Sequence, residues 1–512
     1  MDLFSLEFII LLLSAFIVYY LLFVLNKAFK RVVIPRWSIL LIVSLVFYGF
    51  ANWIYLVFLG TSFLISYVFG LLTQYRLFSN KKFQPEAVES HLDRRVYENI
   101  MTTISIVLNV GILAVLKYFN FFSTSVASLF HFNAFTINFI IPLGISFYTF
   151  SLVAYNVDCC KREVTAEKNP FKFLLFVSYF PKVLQGPISS YNKLKEDGLF
   201  NEHRFSDVDY LKCFFRISIG LVKKIVIANV IGLYVDSVYA NLTDSFGLTL
   251  LLTSVLYAIQ LYCDFSGFMD IAIGVSGLFG IKLEENFNIP YISSSIQEFW
   301  RRWHITLGNW LKKYIYIPLG GNRVPIWRWI INILIVWLIS GIWHGANWTF
   351  GIWGLFQGVL LVITGLPRFL KKEKGNKKPN HIITILKVIG TFLLVDIGWI
   401  LFRSSSIYEA ARFSWHMIKV WEPNKYNVFL DASLSSINWL FIASLVMVIV
   451  LIGIRLLINY QEVILSKFKK PNIAKYISMF LVTAVFVSIA IFVFFYTKSI
   501  GGNASSFIYF EF

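Results

Sequence analysis

Long, uninterrupted runs of apolar residues constrain the fold of this chain more than any other feature of its sequence. The first, Leu6 to Leu25, has the roughly 20 helical residues that are needed to cross the hydrocarbon core of a bilayer. Only 14% of all residues are charged, against about 25% in soluble domains. Segments inside a bilayer must satisfy their backbone hydrogen bonds internally, so they fold as helices. The sequence therefore predicts an all-α, polytopic integral membrane protein.

The later apolar runs predict roughly a dozen transmembrane helices in total. One segment, residues 171–183, is too short to span and runs into Gly and Pro residues, which indicates a re-entrant or broken segment lining a cavity. The other predicted spans are Ile39–Phe50, Ile54–Leu72, Met101–Tyr118, Ile137–Val157, Ile225–Tyr239, Leu248–Cys263, Ile326–Ile342, Phe350–Gly365, Ile382–Leu401, Leu440–Ile458 and Ile477–Phe494.

The net charge of +18 is explained by the positions of the basic residues. They cluster in loops beside apolar runs, as the positive-inside rule predicts, so we expect membrane lipids around the chain and no nucleic acid as a partner. Lys27, Lys30 and Arg31 follow the first span and place the N-terminus outside the cell. An even number of crossings then places the C-terminus outside as well.

Neither disulfides nor a metal site are expected from the sequence. The cysteines lack the paired spacing of a disulfide framework or a zinc site. His304 and His344 have no carboxylate or cysteine near them in the sequence at metal-ligand spacing. The four cysteines are Cys159, Cys160, Cys213 and Cys263.

The stretch from Gln297 to Trp348 holds the strongest candidates for chemistry. Its first half has the periodicity of one amphipathic helix, with aromatic residues opposite Arg and Lys, which is typical of a helix in a membrane interface. His304 lies at the edge of the apolar arc, and His344 ends an apolar run between two tryptophans. A histidine in such a place is costly unless it is paired or functional. The apolar arc comprises Phe299, Trp300, Trp303, Leu307, Trp310, Leu311 and Tyr314.

Several long motifs in this chain resemble those of the membrane-bound O-acyltransferase family, and specifically its alginate O-acetyltransferase-like bacterial branch. Many relatives have Arg-Asp where this chain has Lys312-Lys313, so a local acidic partner is missing here. The motifs are FPKVLQGPI (180–188), DFSGFMDIAIGVSGLFGI (264–281), ENFNIPY (285–291), FWRRWHITLGNWLKKYIYIPLGGNR (299–323) and GIWHGANWTFGIWG (341–354).

The resemblance implies one membrane domain, 1–512, with transmembrane, re-entrant and interfacial helices around a central channel. Its catalytic core is 299–348, and an extracytoplasmic motif occupies 507–512. The implied activity moves an acetyl group from cytosolic acetyl-CoA, a substrate and not a resident cofactor, to an exported polysaccharide such as an alginate-like exopolysaccharide or peptidoglycan. The implied location is the bacterial cytoplasmic membrane. An extracytoplasmic SGNH-type acetyltransferase is the implied partner protein.

Three residues carry the predicted chemistry. Neutral imidazole suits the removal of a hydroxyl proton near pH 7, and His344 matches the family's catalytic histidine; the alternative is a helix-end histidine bound to a carbonyl. His304 could bind the donor, orient a carbonyl or hydrogen-bond within its helix. The tail Phe507–Phe512 resembles an F-x-Y-x-x-F acyl-transfer motif, which makes Tyr509 a candidate transient acyl carrier; the alternative is an aromatic anchor.

Two other functions stay open at this point. A D-alanyl transferase acting on teichoic acid is close within the family, and its donor would be a carrier-protein thioester. A transporter or channel could also use broken polar helices as a substrate path. Internal repeats, common in transporters, are not evident in this sequence.

Overall fold

A computed structural model describes residues 6–30, 32, 34–75, 91–201, 203–367, 381–419, 422–427, 438–465 and 473–499. The tail 507–512, with Tyr509, lies outside these ranges. Every regular element within them is helical. The helices are α1 (Leu6–Ala28), α2 (Trp37–Ala51), α3 (Trp53–Tyr75), α4 (His91–Phe130), α5 (Ile145–Cys160), α6 (Pro170–Ser178), α7 (Phe180–Val183), α8 (Tyr191–Glu196), α9 (Tyr210–Leu221), α10 (Asn229–Ala240), α11 (Leu248–Leu278), α12 (Ile296–Arg302), α13 (Ile305–Leu311), α14 (Ile326–His344), α15 (Trp348–Gly365), α16 (His381–Arg403), α17 (Ile407–Ile418), α18 (Asn438–Leu465) and α19 (Ile473–Ser499).

The outer faces of the long helices are apolar. In the part of the chain that the structure describes, nine helices are long and apolar enough to cross a membrane, and two shorter apolar helices accompany them. Large side chains such as Ile442, Ile449 and Phe480 are mostly exposed on these helices. Such exposure is expected where the solvent is lipid hydrocarbon. The predicted fold class, an all-α polytopic membrane protein, is confirmed.

Residue contacts divide the chain into two compact units. The first comprises Met1–Asp209 with Val275–Glu284, and the second comprises Tyr210–Gly274 with Glu285–Phe512. The predicted catalytic core, 299–348, therefore belongs entirely to the second unit.

In the first unit, the predicted re-entrant segment is broken into α6 and α7. Tyr191, at the start of α8, donates a hydrogen bond of 2.5 Å to the carboxylate of Glu167 in the loop before α6. The chain therefore leaves this loop and returns to it, while re-entry into the membrane stays a prediction. Within α7, Lys182 is 4% exposed and lines a small cavity with Ser151 and Gly186.

The predicted span Ile137–Val157 is wrong at its start, because the helix begins only at Ile145. Pro142 has no N–H to donate to a helix, and Gly144 adopts the left-handed conformation with φ of 73°. A Cβ atom at Gly144 would lie 2.1 Å from the carbonyl oxygen of Val183. This close approach accounts for glycine at that position, and its left-handed backbone accounts for the late start of α5.

In the second unit, helix runs continuously from Tyr210 to Ala240 through a π-helical stretch, Val222–Ala228. The prediction began this helix only at Ile225, because Lys223 and Lys224 interrupt the apolar run. Both are paired within the unit. Lys224 forms a buried ion pair with Asp264, and Lys223 lies 2.7 Å from Asp270.

Candidate functional site

The single amphipathic helix predicted around His304 is wrong, because the structure breaks it at this residue. Helix α12 ends at Arg302, and α13 begins at Ile305. His304 has φ of 45° and ψ of 54°, the left-handed conformation that non-glycine residues rarely adopt. The backbone here is bonded to a loop that lies earlier in the sequence: the N–H of Ile305 donates a hydrogen bond to the carbonyl oxygen of Asn286 at 3.0 Å. This contact replaces a helical hydrogen bond and redirects the His304 side chain.

The predicted apolar arc is nevertheless largely buried. Phe299 and Trp303 are 1% and 2% exposed, and Leu307 is 4% exposed. The rings of Phe299 and Trp303 pack on other aromatic rings of the second unit, and the centroid of the Trp303 ring lies 5.0 Å from that of Trp399. We call this group the aromatic cluster. It comprises Phe299, Trp300, Trp303, Trp353 and Trp399.

The imidazole of His304 is enclosed by rings and an amide. It is 3% exposed, and its centroid lies 4.8 Å from Phe265 and 6.1 Å from Trp343. Burial lowers the pKa of His304 to about 3, since the charged form loses its hydration. The ring is therefore neutral at physiological pH and can accept a hydrogen bond through one nitrogen.

The contacts of His304 identify Asn286 as a site residue. Asn286 is fully buried, and its Oδ1 lies 3.3 Å from Nδ1 of His304. The same oxygen accepts from the backbone N–H and the hydroxyl of Thr306, both at 3.0 Å. The motif ENFNIPY contains Asn286, but neither composition nor periodicity distinguishes this residue from any loop asparagine.

His344 is the last residue of α14, and it is 5% exposed. Its ring lies 5.2 Å from Trp353 and 5.3 Å from Phe402, measured between centroids. The ring of Trp343 contacts both histidines, at 5.0 Å from His344 and 6.1 Å from His304. The structure thus brings the two predicted histidines to a common tryptophan.

The turn after His344 is held by the side chain of Asn347. The side chain of Asn347 accepts a hydrogen bond from the backbone N–H of Thr349 at 3.0 Å, which caps α15. Its amide nitrogen donates to the carbonyl oxygen of Ser405 at 2.8 Å. These bonds connect the turn between α14 and α15, which follows His344, to the residues just after α16.

Chemically, the site offers two buried imidazoles among aromatic rings, and the His304 ring is neutral. Such surroundings exclude bulk water, which suppresses hydrolysis of a reactive ester or thioester. Within the described residues, no three His, Cys, Asp or Glu side chains are grouped so that they could hold a metal ion. Tyr509 cannot be placed relative to the histidines, since it lies outside the described residues.

Known proteins share much of this sequence. The sequence model of the MBOAT, membrane-bound O-acyltransferase family matches residues 101–402, which include both histidines. The chain is 34% identical to the peptidoglycan O-acetyltransferase of Helicobacter pylori over 76% of this chain and 75% of that protein.

Two further relatives differ in the substrates that their names state. The chain is 37% identical to the probable alginate O-acetylase AlgI of Pseudomonas aeruginosa, over 64% of this chain and 62% of AlgI. It is 31% identical to the teichoic acid D-alanyltransferase of Bacillus subtilis, over 53% of this chain and 71% of that enzyme. The chain belongs to the membrane-bound O-acyltransferase family and is a multi-pass membrane acyltransferase, as the sequence predicted.

Proposed function

We propose that the protein moves acetyl groups from cytosolic acetyl-CoA across the bacterial cytoplasmic membrane for O-acetylation of an exported envelope polysaccharide. The observation that carries this proposal is the pair of buried imidazoles, His304 and His344, whose rings both lie near the ring of Trp343. The identity to a peptidoglycan O-acetyltransferase over three quarters of both chains supports acetyl as the acyl group and a glycan as the acceptor.

In this proposal His344 is the general base. It takes the proton of the attacking hydroxyl as the oxygen bonds to the thioester carbonyl carbon, and it returns that proton to the departing thiolate. The new carbon–oxygen bond forms as the carbon–sulfur bond breaks, so the step needs neither a metal ion nor a redox partner. The aromatic rings of Trp353 and Phe402 around His344 limit competing attack by water.

The route beyond the membrane site is also a proposal, supported by the family resemblance. An extracytoplasmic SGNH-type protein passes the acetyl group to the polysaccharide. Tyr509 accepts the group as an aryl ester, which remains reactive enough for onward transfer, provided that a neighbouring base removes the phenol proton.

The test uses purified full-length protein and acetyl-CoA labelled in the acetyl group. Wild type should release CoA and transfer label to a hydroxyl acceptor, while His344→Ala should be slower by about 10²–10⁴-fold, the usual cost of losing a general base. His381→Ala is the matched control, because His381 is an exposed histidine at the start of α16. Near wild-type transfer by a well-expressed His344→Ala protein would refute the assigned role.

A second candidate function is transfer of D-alanine to teichoic acid. The 31% identity to the Bacillus subtilis D-alanyltransferase favours it, over a smaller share of this chain than the acetyltransferase match. The donor distinguishes the two functions. Label transfer from a D-alanyl carrier-protein thioester, with none from acetyl-CoA, would replace the first proposal by the second.

A further inference from the structure

We infer that Asn286 is a positioning residue: it fixes the tautomer of His304 so that the unprotonated Nε2 accepts a hydrogen bond from a substrate. The inference deepens the proposed acyl transfer and rests on it for the identity of that substrate. The tautomer itself depends only on contacts within the second unit.

The orientation of the Asn286 amide follows from its partners. A backbone N–H can only donate, and that of Thr306 points at one atom of Asn286 from 3.0 Å. This atom must therefore be the amide oxygen. The amide nitrogen then faces the sulfur of Met269 at 3.6 Å, which is a weak acceptor.

The orientation of the amide decides the tautomer of the imidazole. An amide oxygen cannot donate, so the 3.3 Å contact between Asn286 Oδ1 and His304 Nδ1 requires the proton to be on Nδ1. In the neutral ring, Nε2 then carries a lone pair. Nε2 is buried and has no hydrogen-bond partner among the described residues.

A lone pair on Nε2 narrows the roles open to His304. The unprotonated Nε2 cannot donate a hydrogen bond to a thioester carbonyl, so the role of orienting a carbonyl, one of those predicted from the sequence, is disfavoured. Nε2 can accept a hydrogen bond, and two groups of the substrates can donate one. These are the hydroxyl of the acyl acceptor and the amide N–H of a pantetheine thioester donor.

Two charged side chains close to His304 in the sequence or next to its ring neighbour Phe265 are paired with opposite charges. On α12, the guanidinium of Arg302 lies 2.6 Å from the Glu298 carboxylate. The residue before Phe265 is Asp264, which forms a buried ion pair with Lys224. Burial keeps the ring neutral, and its Nδ1 faces the Asn286 amide oxygen.

The direct test is ¹⁵N-histidine solid-state NMR of the full-length protein in lipid bilayers, with the His304 signal identified by its loss in His304→Asn. Wild type should show His304 with an unprotonated Nε2. Asn286→Ala should show a mixture of tautomers, whereas Asn286→Asp, which keeps an acceptor at the same place, should keep the wild-type form. Asn332→Ala is the control for a general loss of packing, since Asn332 is a buried asparagine that bridges loop carbonyls elsewhere in this unit. It should leave the His304 signal unchanged.

Acyl-transfer kinetics then identify the substrate group that Nε2 accepts from. Asn286→Ala should lose about 10–100-fold in kcat/KM, as when the orienting partner of a functional histidine is removed, and Asn286→Asp should recover most of it. A higher KM for acetyl-CoA would assign the donor's amide, and a lower kcat at saturating acetyl-CoA would assign the acceptor's hydroxyl.

Several outcomes would overturn the inference. They are a wild-type His304 protonated at Nε2, an unchanged signal in Asn286→Ala, or an Asn286→Asp protein as inactive as Asn286→Ala. Failure of every variant and wild type to use acetyl-CoA, with the NMR result as expected, would instead count against the proposed donor alone.

Discussion

Replacing Gly354 by alanine should damage catalysis by pushing α14 and α15 apart just below His344. The two helices cross at glycines, as small residues allow in membrane helix pairs. A Cβ atom at Gly354 would lie 2.2 Å from the carbonyl oxygen of Trp337 and 3.1 Å from Cα of Gly341. Both neighbours are backbone atoms of α14, so no side chain can rotate away.

The size of the effect follows from these distances. Ordinary carbon contacts lie near 3.5 Å, so the backbones must separate by about 1 Å at this level. Overpacking of this kind costs about 1–3 kcal/mol of stability. His344 ends α14 one turn beyond Gly341, and a displacement of about 1 Å at a reacting group can cost about 100-fold in rate.

The assay compares Gly354→Ala with Gly390→Ala, which makes the same change in α16 at a glycine whose added Cβ would meet nothing within 4 Å. Thermal unfolding in detergent and label transfer from acetyl-CoA are measured for both. Gly390→Ala should be neutral or more stable by up to about 1 kcal/mol. If Gly354→Ala transferred acetyl groups within twofold of the Gly390→Ala rate, the tight α14–α15 contact would not be what places His344.

Three further predictions concern other parts of the molecule. Lys224→Met should destabilise the protein by about 3–5 kcal/mol, because it removes the ion-pair partner of the buried Asp264 carboxylate. The double variant with Asp264→Leu should recover most of this loss in thermal unfolding. As the pH falls from 6.5 to 4, His304 alone should lower the free energy of unfolding by about 1.4 kcal/mol per pH unit. Burial lowers the pKa of His304 in the folded protein to about 3, so over this range the unfolded chain binds the proton and the folded protein does not. His304→Gln should lose this part of the acid sensitivity, and equal sensitivity in both proteins would contradict it. Tyr509→Phe keeps the ring and removes only the hydroxyl, so acetylation of the glycan in cells should drop sharply; a normal rate would make Tyr509 only an anchor.

The amino-acid sequence alone determined the fold class and which helix face around His304 is buried. A bilayer permits only internally hydrogen-bonded segments, so long apolar runs mean helices whatever their tertiary arrangement. The burial of Phe299, Trp303 and Leu307 likewise follows from their common side of a helical wheel. Local periodicity survives a break in the helix, because each short helix keeps the same face inward.

Only the tertiary structure decided the geometry around the two histidines. The break at His304 depends on hydrogen bonds that Asn286, a residue 18 positions earlier in the chain, accepts. No local pattern predicts such a pairing between two loops. Trp399 joins the aromatic cluster from a helix almost 100 residues further on. The tautomer of the His304 ring is set by Asn286, because the nitrogen that carries the proton is determined by the hydrogen bond that it makes.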